Sequence, residues 1–210
     1  MTKRIALWGI VAIFASVLGL QAQNYAISTN IPSLLTGTIN LEPSMALSKS
    51  VSLHLSVSAR PALFKLPMPV GAIETLYGTR HRSMSFNDRL KWGSIDYTEF
   101  LSVAPALRYW TQGTYNRGTF ASIHALGMLY RYGGNYYSSA YSEGFLVGGG
   151  ISLGYSHELS EHWNIEGELG IAGVWTRYDL RASSSKVVTA DKSRLLVLPS
   201  RVGVRLVYLF

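Results

Sequence analysis

Two pairs of serine and histidine could do chemistry in this sequence: His54 with Ser56, and Ser122 with His124. A histidine that takes a proton from a serine hydroxyl, with an acid nearby, activates the nucleophile of a hydrolase. However, side chains two positions apart always share one face of a β-strand, so the same spacing is typical of a polar interior. The interior interpretation is favoured, and no catalytic residue is predicted.

A second group of polar residues alternates with apolar residues and carries charges of both signs. It consists of three carboxylates and three arginines: Glu42, Arg108, Glu166, Glu168, Arg201 and Arg205. If their strands close into a narrow barrel, these side chains meet inside it and form a lumen charge network. They would either line an ion path or fill the lumen, and side chains about fill an eight-stranded barrel. The histidines and acids show no metal-ligand spacing, and no glycine loop suits a phosphate, so no metal or cofactor is predicted.

The elements that position these residues are strands, because apolar residues recur at every second position from Asn24 onward. Eight strands are predicted, in an all-β, antiparallel, up-and-down barrel. Their bounds are 25–34, 39–48, 51–60, 98–110, 119–131, 144–157, 161–178 and 193–210.

Connections of unequal length join these strands. Short turns follow the second, fourth and sixth strands, and long loops follow the third (61–97), the fifth (132–143) and the seventh (179–191). Tight turns on one side and large loops on the other are typical of outer-membrane barrels. The 61–97 loop is therefore expected to be external. Its basic and aromatic residues either meet lipopolysaccharide phosphates, an anionic glycan or a partner protein, or are simply solvated. They include Tyr77, Arg80, His81, Arg82, Phe86, Arg89, Lys91 and Trp92.

The apolar faces of the predicted strands suit a lipid environment. None carries a charge at its middle, where an arginine facing lipid costs about 2–4 kcal/mol. Trp163 and Trp175 lie on one face, at a spacing that corresponds to roughly 30 Å along the membrane normal. With Tyr109 and Tyr155 they are predicted to form the aromatic girdles at the membrane interfaces.

The two ends of the chain carry export features. Residues 1–22 combine Lys3 and Arg4, an apolar run and Ala22, a pattern that predicts a cleavable signal peptide before a barrel domain of residues 23–210. The absence of cysteine excludes disulfides and a lipidated cysteine. The last strand presents Leu206, Tyr208 and Phe210 on one face, which resembles a C-terminal assembly signal. The expected location is the outer membrane, and the expected partners are its lipids, periplasmic chaperones and the barrel assembly machinery.

Three segments resemble a family of small, uncharacterised outer-membrane barrels of Bacteroidetes-type bacteria. They are STNIPSLLTGTINLEPSMALSKSVSLHLS (28–56), VAPALRYW with TFASIHALG (103–110 and 119–127), and GISLGYSHELSEHWNIEGELG (150–170). The long 61–97 connection and Pro43 depart from the family pattern. The resemblance implies an architecture similar to the OmpA-type eight-stranded barrel and implies no enzymatic role.

The sequence therefore favours a non-enzymatic outer-membrane barrel with a structural or surface-interaction role, whose external loops could hold an unidentified ligand. The alternatives are a barrel hydrolase that modifies lipid A, a narrow passive channel and a soluble periplasmic β protein. The net charge of +7 gives no reason to expect a nucleic acid.

Overall fold

The computed structural model describes residues 24–61, 66–67, 94–134, 139–182 and 187–210. The predicted signal peptide and the basic residues of the 61–97 loop lie outside these ranges. The described residues form eleven strands and one short helix: β1 (Tyr25–Asn30), α1 (Ile31–Leu35), β2 (Ile39–Ala46), β3 (Val51–Arg60), β4 (Leu66–Pro67), β5 (Ser94–Ile95), β6 (Tyr97–Trp110), β7 (Gly118–Gly133), β8 (Tyr141–Glu158), β9 (Trp163–Arg181), β10 (Val187–Pro199) and β11 (Gly203–Leu209).

The strands close into a barrel by antiparallel pairing of sequence neighbours. The order runs from β1 through β2, β3, β6, β7 and β8 to β9. Strands β10 and β11 pair with different halves of β9 and together make the eighth strand, and β11 pairs with β1 to complete the circle. The predicted eight-stranded antiparallel barrel is confirmed. Strands β4 and β5 form a separate two-residue pair.

The first strand is shorter than predicted, because β1 ends at Asn30 and a helical turn follows. The Asn30 side chain accepts a hydrogen bond from the backbone N–H of Ser33 at 3.4 Å and caps the helix. Pro32 occupies the first turn, where a helix tolerates proline and a ladder of paired strands would lose a donor. The prediction that the strand extends to residue 34 is wrong.

The last strand is interrupted, although one continuous strand was predicted over residues 193–210. Pro199 lies opposite Ile171 and Gly203 lies opposite Glu168, so the terminal strand has one more residue than β9 between these pairs. This is a β-bulge, at which proline is tolerated. The bulge changes which residues point inward, from even numbers on β10 to odd numbers on β11.

The long connections are shorter than predicted because their flanking strands continue. Strand β7 extends to Gly133, β8 begins at Tyr141, β9 extends to Arg181 and β10 begins at Val187. One residue of these extensions, Glu143 on β8, forms a cross-strand ion pair with Arg131 on β7 at 3.3 Å. Glycine, serine and other polar residues predicted loops over these segments, although part of their backbone remains in the ladder.

The wall of the barrel has unequal height. Strands β1, β2 and β3 contain 6, 8 and 10 residues, whereas β6, β7, β8 and β9 contain 14, 16, 18 and 19. The additional residues lie at the end of the barrel where residues 61–97 connect β3 to β6, which we call the loop end. The opposite end, with the turns at 47–50, 111–117 and 159–162, is called the turn end.

The interior is layered from one end to the other. Trp110 and Phe120 are completely buried near the turn end, with ring centroids 4.9 Å apart. Charged side chains occupy the middle. Towards the loop end lies a small apolar cluster: Ala104, Leu126, Leu146, Ala172 and Val174. Glycines keep the interior narrow, since a Cβ atom at Gly150 would overlap the carbonyl oxygen of Ile171.

Candidate functional site

The middle of the barrel holds a charge cluster that consists of Glu42, Arg108, Glu166, Glu168, Arg201 and Arg205. Each of the six is at most 4 % exposed. Alternation on β9 points both Glu166 and Glu168 inward, and Arg205 on β11 lies opposite Glu166. Arg201 lies in the bulge. Pairing of strands from both ends of the chain therefore brings together all six side chains singled out in the sequence.

Arg108 is the centre of the charge cluster. Its Nη1 lies 2.8 Å from Glu166, and its Nη2 lies 2.8 Å from Glu42 and 2.9 Å from Glu168. Its guanidinium carbon also lies 4.4 Å from the centroid of the Phe120 ring, within the range of a cation–π contact.

The other two arginines share the same carboxylates. Arg201 lies 2.7 Å from Glu42 and 2.8 Å from Glu168. Arg205 lies 2.9 Å from Glu166 and also contacts Glu168. Three cations face three anions, and each buried charge has at least one opposite charge within hydrogen-bonding distance, so removing one partner would leave a buried charge uncompensated. The cluster fills the centre of the lumen with interlocked side chains.

His54 belongs to a hydrogen-bond chain beside the charge cluster. Its Nε2 lies 2.9 Å from Oγ of Ser52, and its Nδ1 lies 3.1 Å from Oε1 of Glu42. The serine partner is therefore Ser52 and not Ser56, which is within 3.2 Å of the Asn40 amide. A serine, a histidine and an acid stand in the order of a hydrolase triad.

The surroundings of the Ser52–His54–Glu42 hydrogen bonds indicate a structural role. The Trp110 indole donates a hydrogen bond of 2.8 Å to Oγ of Ser52, and Ser52 is completely buried. Glu42 is shared with three arginines. A nucleophile needs space for a substrate, and the described residues leave none at this serine hydroxyl.

The second predicted pair is not joined. Ser122 is hydrogen-bonded to Ser152, which donates to Glu168 of the charge cluster. Nε2 of His124 lies 2.9 Å from Oγ of Ser200, next to the bulge. Both side chains face the lumen, but each has a partner on another strand.

The turn of residues 111–117 folds into the barrel and closes the turn end. The Tyr115 hydroxyl lies 2.7 Å from Oγ of Ser44, and burial raises the pKa of Tyr115 to about 12. Asn116 has a φ of 61° and is 1 % exposed. Its carbonyl oxygen accepts hydrogen bonds from Ser156 at 2.9 Å and from Asn164 at 2.6 Å.

The outward faces of the strands carry large apolar side chains that no described residue covers. These residues include Leu53, Leu55, Val57, Leu101, Val103, Leu107, Ile123, Ile151, Leu153, Leu169 and Ile171. Residues proposed for the girdles also point outward and are 40–57 % exposed: Tyr109, Tyr155, Trp163 and Trp175.

Aromatic contacts mark both ends of this apolar surface. At the turn end, the ring centroids of Trp163 and Tyr208 are 4.9 Å apart, and those of Tyr208 and Phe210 are 5.2 Å apart. Towards the loop end, the rings of Phe145 and Trp175 meet edge to face at 5.7 Å. Leu206 lies on the same face of β11 as Tyr208, opposite Ile165.

The described ranges lack a metal-binding cluster and a membrane-spanning helix. They hold no group of three or more histidine and acidic side chains arranged to bind a metal ion. Nor do they include a helix with the length and apolar composition needed to span a bilayer.

Several interior residues were not singled out in the sequence. Ser52 could have been found, because it shares a face with His54 as Ser56 does. Ser200 and the inserted Tyr115 could not, since their positions depend on a bulge and on the path of a turn. Neither a bulge nor the path of a turn can be recognised from the alternation of apolar and polar residues.

The comparisons with known proteins give one match. No curated protein and no solved structure matches the sequence. The model of an uncharacterised family matches residues 8–210, which include all the strands described above. The chain therefore belongs to the family described as "Protein of unknown function (DUF3575)".

Proposed function

We propose that this protein is a small integral outer-membrane barrel with a structural or surface-interaction role and no catalytic activity. In this proposal its architecture is OmpA-like, and it belongs to the barrels of Bacteroidetes-type bacteria. Residues 1–22 direct export and are removed. The turn end faces the periplasm and the loop end faces outward.

The observation that carries the proposal is the inverted distribution of polar and apolar side chains. The charge cluster is buried in the lumen, while leucine, isoleucine and valine side chains cover the outside, such as Leu153 at 66 % and Leu169 at 69 % exposure. A water-soluble protein buries such side chains in its core, and large exposed apolar patches are rare on soluble monomers. Hydrocarbon is the solvent that suits this surface.

The dimensions of the wall support the same placement. The aromatic pairs at Trp163 and Trp175 bound a band of the wall that spans roughly 30 Å. Beyond Trp175 the long strands carry ion pairs between Arg131, Glu143 and Arg181 on their outward side. Charged pairs there suit water and lipid headgroups, and the apolar band suits the acyl chains.

Biogenesis in this proposal uses the end of the barrel that faces the periplasm. Leu206, Tyr208 and Phe210 form the assembly signal for the barrel machinery, and periplasmic chaperones hold the unfolded chain. Outer-membrane lipids are the permanent partners.

A pair of single-cysteine reporters tests the membrane placement, because the protein has no cysteine of its own. An environment-sensitive fluorophore at Ile171→Cys, in the apolar band, should emit as in hydrocarbon and be quenched by nitroxide-labelled lipid. The same fluorophore at Ser193→Cys, which lies beyond the Trp175 level on β10, should report water. A protein that carbonate extracts from membranes, or that reports water at both positions, is not an integral barrel.

A further inference from the structure

Strands β6 to β10 extend beyond the apolar band at the loop end, and there the outward and inward faces differ in charge. On the outward face, each acidic residue lies within 4 Å of an arginine or contacts one directly. The pairs are Glu99 with Arg131, Glu143 with Arg131 and Arg181, Asp179 with Arg181, and Asp191 with Arg177. The outward charges of these strands are therefore largely compensated.

The charged residues on the inward face of the same region are all cations. Arg194 and Lys192 on β10 lie opposite Thr176 and Tyr178 on β9, so they share the inward face of these residues. Arg60 ends β3 on the inward face. No acidic residue of β3 or of β6 to β10 faces inward beyond the charge cluster, and none of these three cations forms an ion pair with a described carboxylate, including Asp96 just before β6.

Arg60 differs from the other buried arginines of the barrel. Arg108, Arg201 and Arg205 each contact two or three carboxylates. Arg60 is 4 % exposed, and no carboxylate among the described residues pairs with it. Its Nε lacks a hydrogen-bond partner, as do those of Arg108 and Arg205, but Arg60 has no ion pair to compensate. A buried cation is costly unless an anion or hydrogen bonds compensate it. The arginine is therefore suited to an anion that enters the mouth.

Below the cations the inward face is apolar and partly open. Leu196 faces inward opposite Val174, yet it remains 42 % exposed. Met128, Tyr130 and Leu198 pack on the apolar interior cluster and are half-buried. Among the described residues, the short strands β1 to β3 leave this surface uncovered on one side.

We propose that the loop-end mouth binds an anionic amphiphile: an acyl chain that carries a phosphate or a carboxylate. The chain lies on the apolar surface of Met128, Leu196 and Leu198. The anionic group accepts hydrogen bonds from Arg60, Arg194 and Lys192. Two sources supply this chemistry, a phosphorylated membrane lipid and a free fatty acid.

Binding to the purified barrel in a neutral detergent tests the proposal. Dodecyl phosphate, laurate and dodecanol are titrated separately, with calorimetry for affinity and native mass spectrometry for the number bound. One molecule of an anionic probe should bind at least about tenfold more tightly than dodecanol, because an arginine forms stronger hydrogen bonds with an anionic group than with a neutral hydroxyl. Tighter binding of dodecyl phosphate indicates a phospholipid, and tighter binding of laurate indicates a fatty acid.

Matched variants locate the site. Arg60→Gln and Arg194→Gln should each weaken binding of the preferred probe about tenfold, whereas Arg177→Gln, on the outward face, should leave it unchanged. Leu196→Asn should weaken binding, and its outward neighbour Leu195→Asn should not. Equal affinity for dodecanol and both anionic probes overturns the proposal even if no variant folds. Equal losses in the inward and outward variants also overturn it. The measurement needs no bilayer, so a negative result leaves the membrane placement to its own test.

Discussion

Arg201 and Glu42 are 159 positions apart in the chain, and Nη2 of Arg201 lies 2.7 Å from each oxygen of the Glu42 carboxylate. Glu42 is on β2, and Arg201 is in the bulge between β10 and β11. The contact therefore spans the lumen behind the short strand β1, where the two ends of the sheet meet. This side-chain contact helps to close the barrel, in addition to the backbone pairing of β1 and β11.

The first prediction concerns the loss of this shared acid. Glu42→Gln should destabilise the barrel by about 3–5 kcal/mol, because Arg201, Arg108 and Arg205 would remain buried with one carboxylate fewer. Urea unfolding, followed by tryptophan fluorescence in lipid vesicles, measures the change. The matched control is Glu158→Gln, since Glu158 pairs with Arg117 at 3.6 Å on the surface and should contribute less than about 1 kcal/mol. Equal effects of the two variants would contradict the buried cluster.

Gly150 and Gly173 give a second matched pair. A Cβ atom at Gly150 would overlap the backbone of Ile171 and approach His124, whereas one at outward-facing Gly173 would meet nothing within 4 Å. Gly150→Ala should cost about 1–3 kcal/mol and lower the temperature at which the folded form is lost on gels. Gly173→Ala should behave as the wild type. An unaffected Gly150→Ala barrel would mean that the interior is wider than described.

The third prediction separates two effects at Asn116. The residue has a φ of 61°, which glycine adopts without strain and alanine does not, and its buried side-chain amide has no described hydrogen-bond partner. Asn116→Gly should therefore be more stable than Asn116→Ala by about 1–2 kcal/mol. Urea unfolding of the two variants measures the difference. If alanine is tolerated as well as glycine, the turn does not insert as described.

The fourth prediction is that the barrel does not conduct ions. Interlocked side chains of the charge cluster occupy the lumen, and the 111–117 turn closes one end. Wild-type protein in planar bilayers should give no unitary current steps at high salt. Reproducible steps that follow the protein concentration would favour the passive channel over the filled barrel.

The fifth prediction concerns hydrolysis. Ser52, His54 and Glu42 are aligned as in a triad, but the hydroxyl is buried and already accepts a hydrogen bond from Trp110. Lipid A from cells with the gene deleted should therefore have the same mass spectrum as lipid A from the wild type. His54→Ala and His124→Ala should leave it unchanged too. Loss of a lipid A species in the deletion strain and in His54→Ala would establish the barrel as an enzyme.

The sequence predicts the barrel well because period two is a direct consequence of strand geometry. The β3 strand has the predicted bounds of 51–60, where alternation is uninterrupted. The predictions fail where backbone geometry departs from this period, at the Pro32 helix and at the bulge after Pro199. Pro199 itself marks the bulge, but a proline alone does not say whether a strand ends there or resumes.

The sequence predicts which residues belong to the charge cluster, but it does not predict how they are arranged. Alternation assigns Glu166 and Glu168 to one face of β9 without reference to any other strand. The central position of Arg108 depends on the register of β3 with β6 and of β6 with β7, which single-strand patterns do not contain. The same limit explains why His54 pairs with Ser52 and not with Ser56 as predicted. Both serines lie on the face of His54, so alternation does not distinguish them.

The unequal wall gives the molecule a front and a back. On the side of β1 to β3 the strands stop at the apolar band, while β6 to β10 continue as a curved screen behind the mouth. Among the described residues, the mouth is open on the side of β1 to β3 and screened by β6 to β10 on the others. In the proposed membrane placement the barrel is therefore directional within the plane of the bilayer, and neighbours that approach it from opposite sides meet different surfaces.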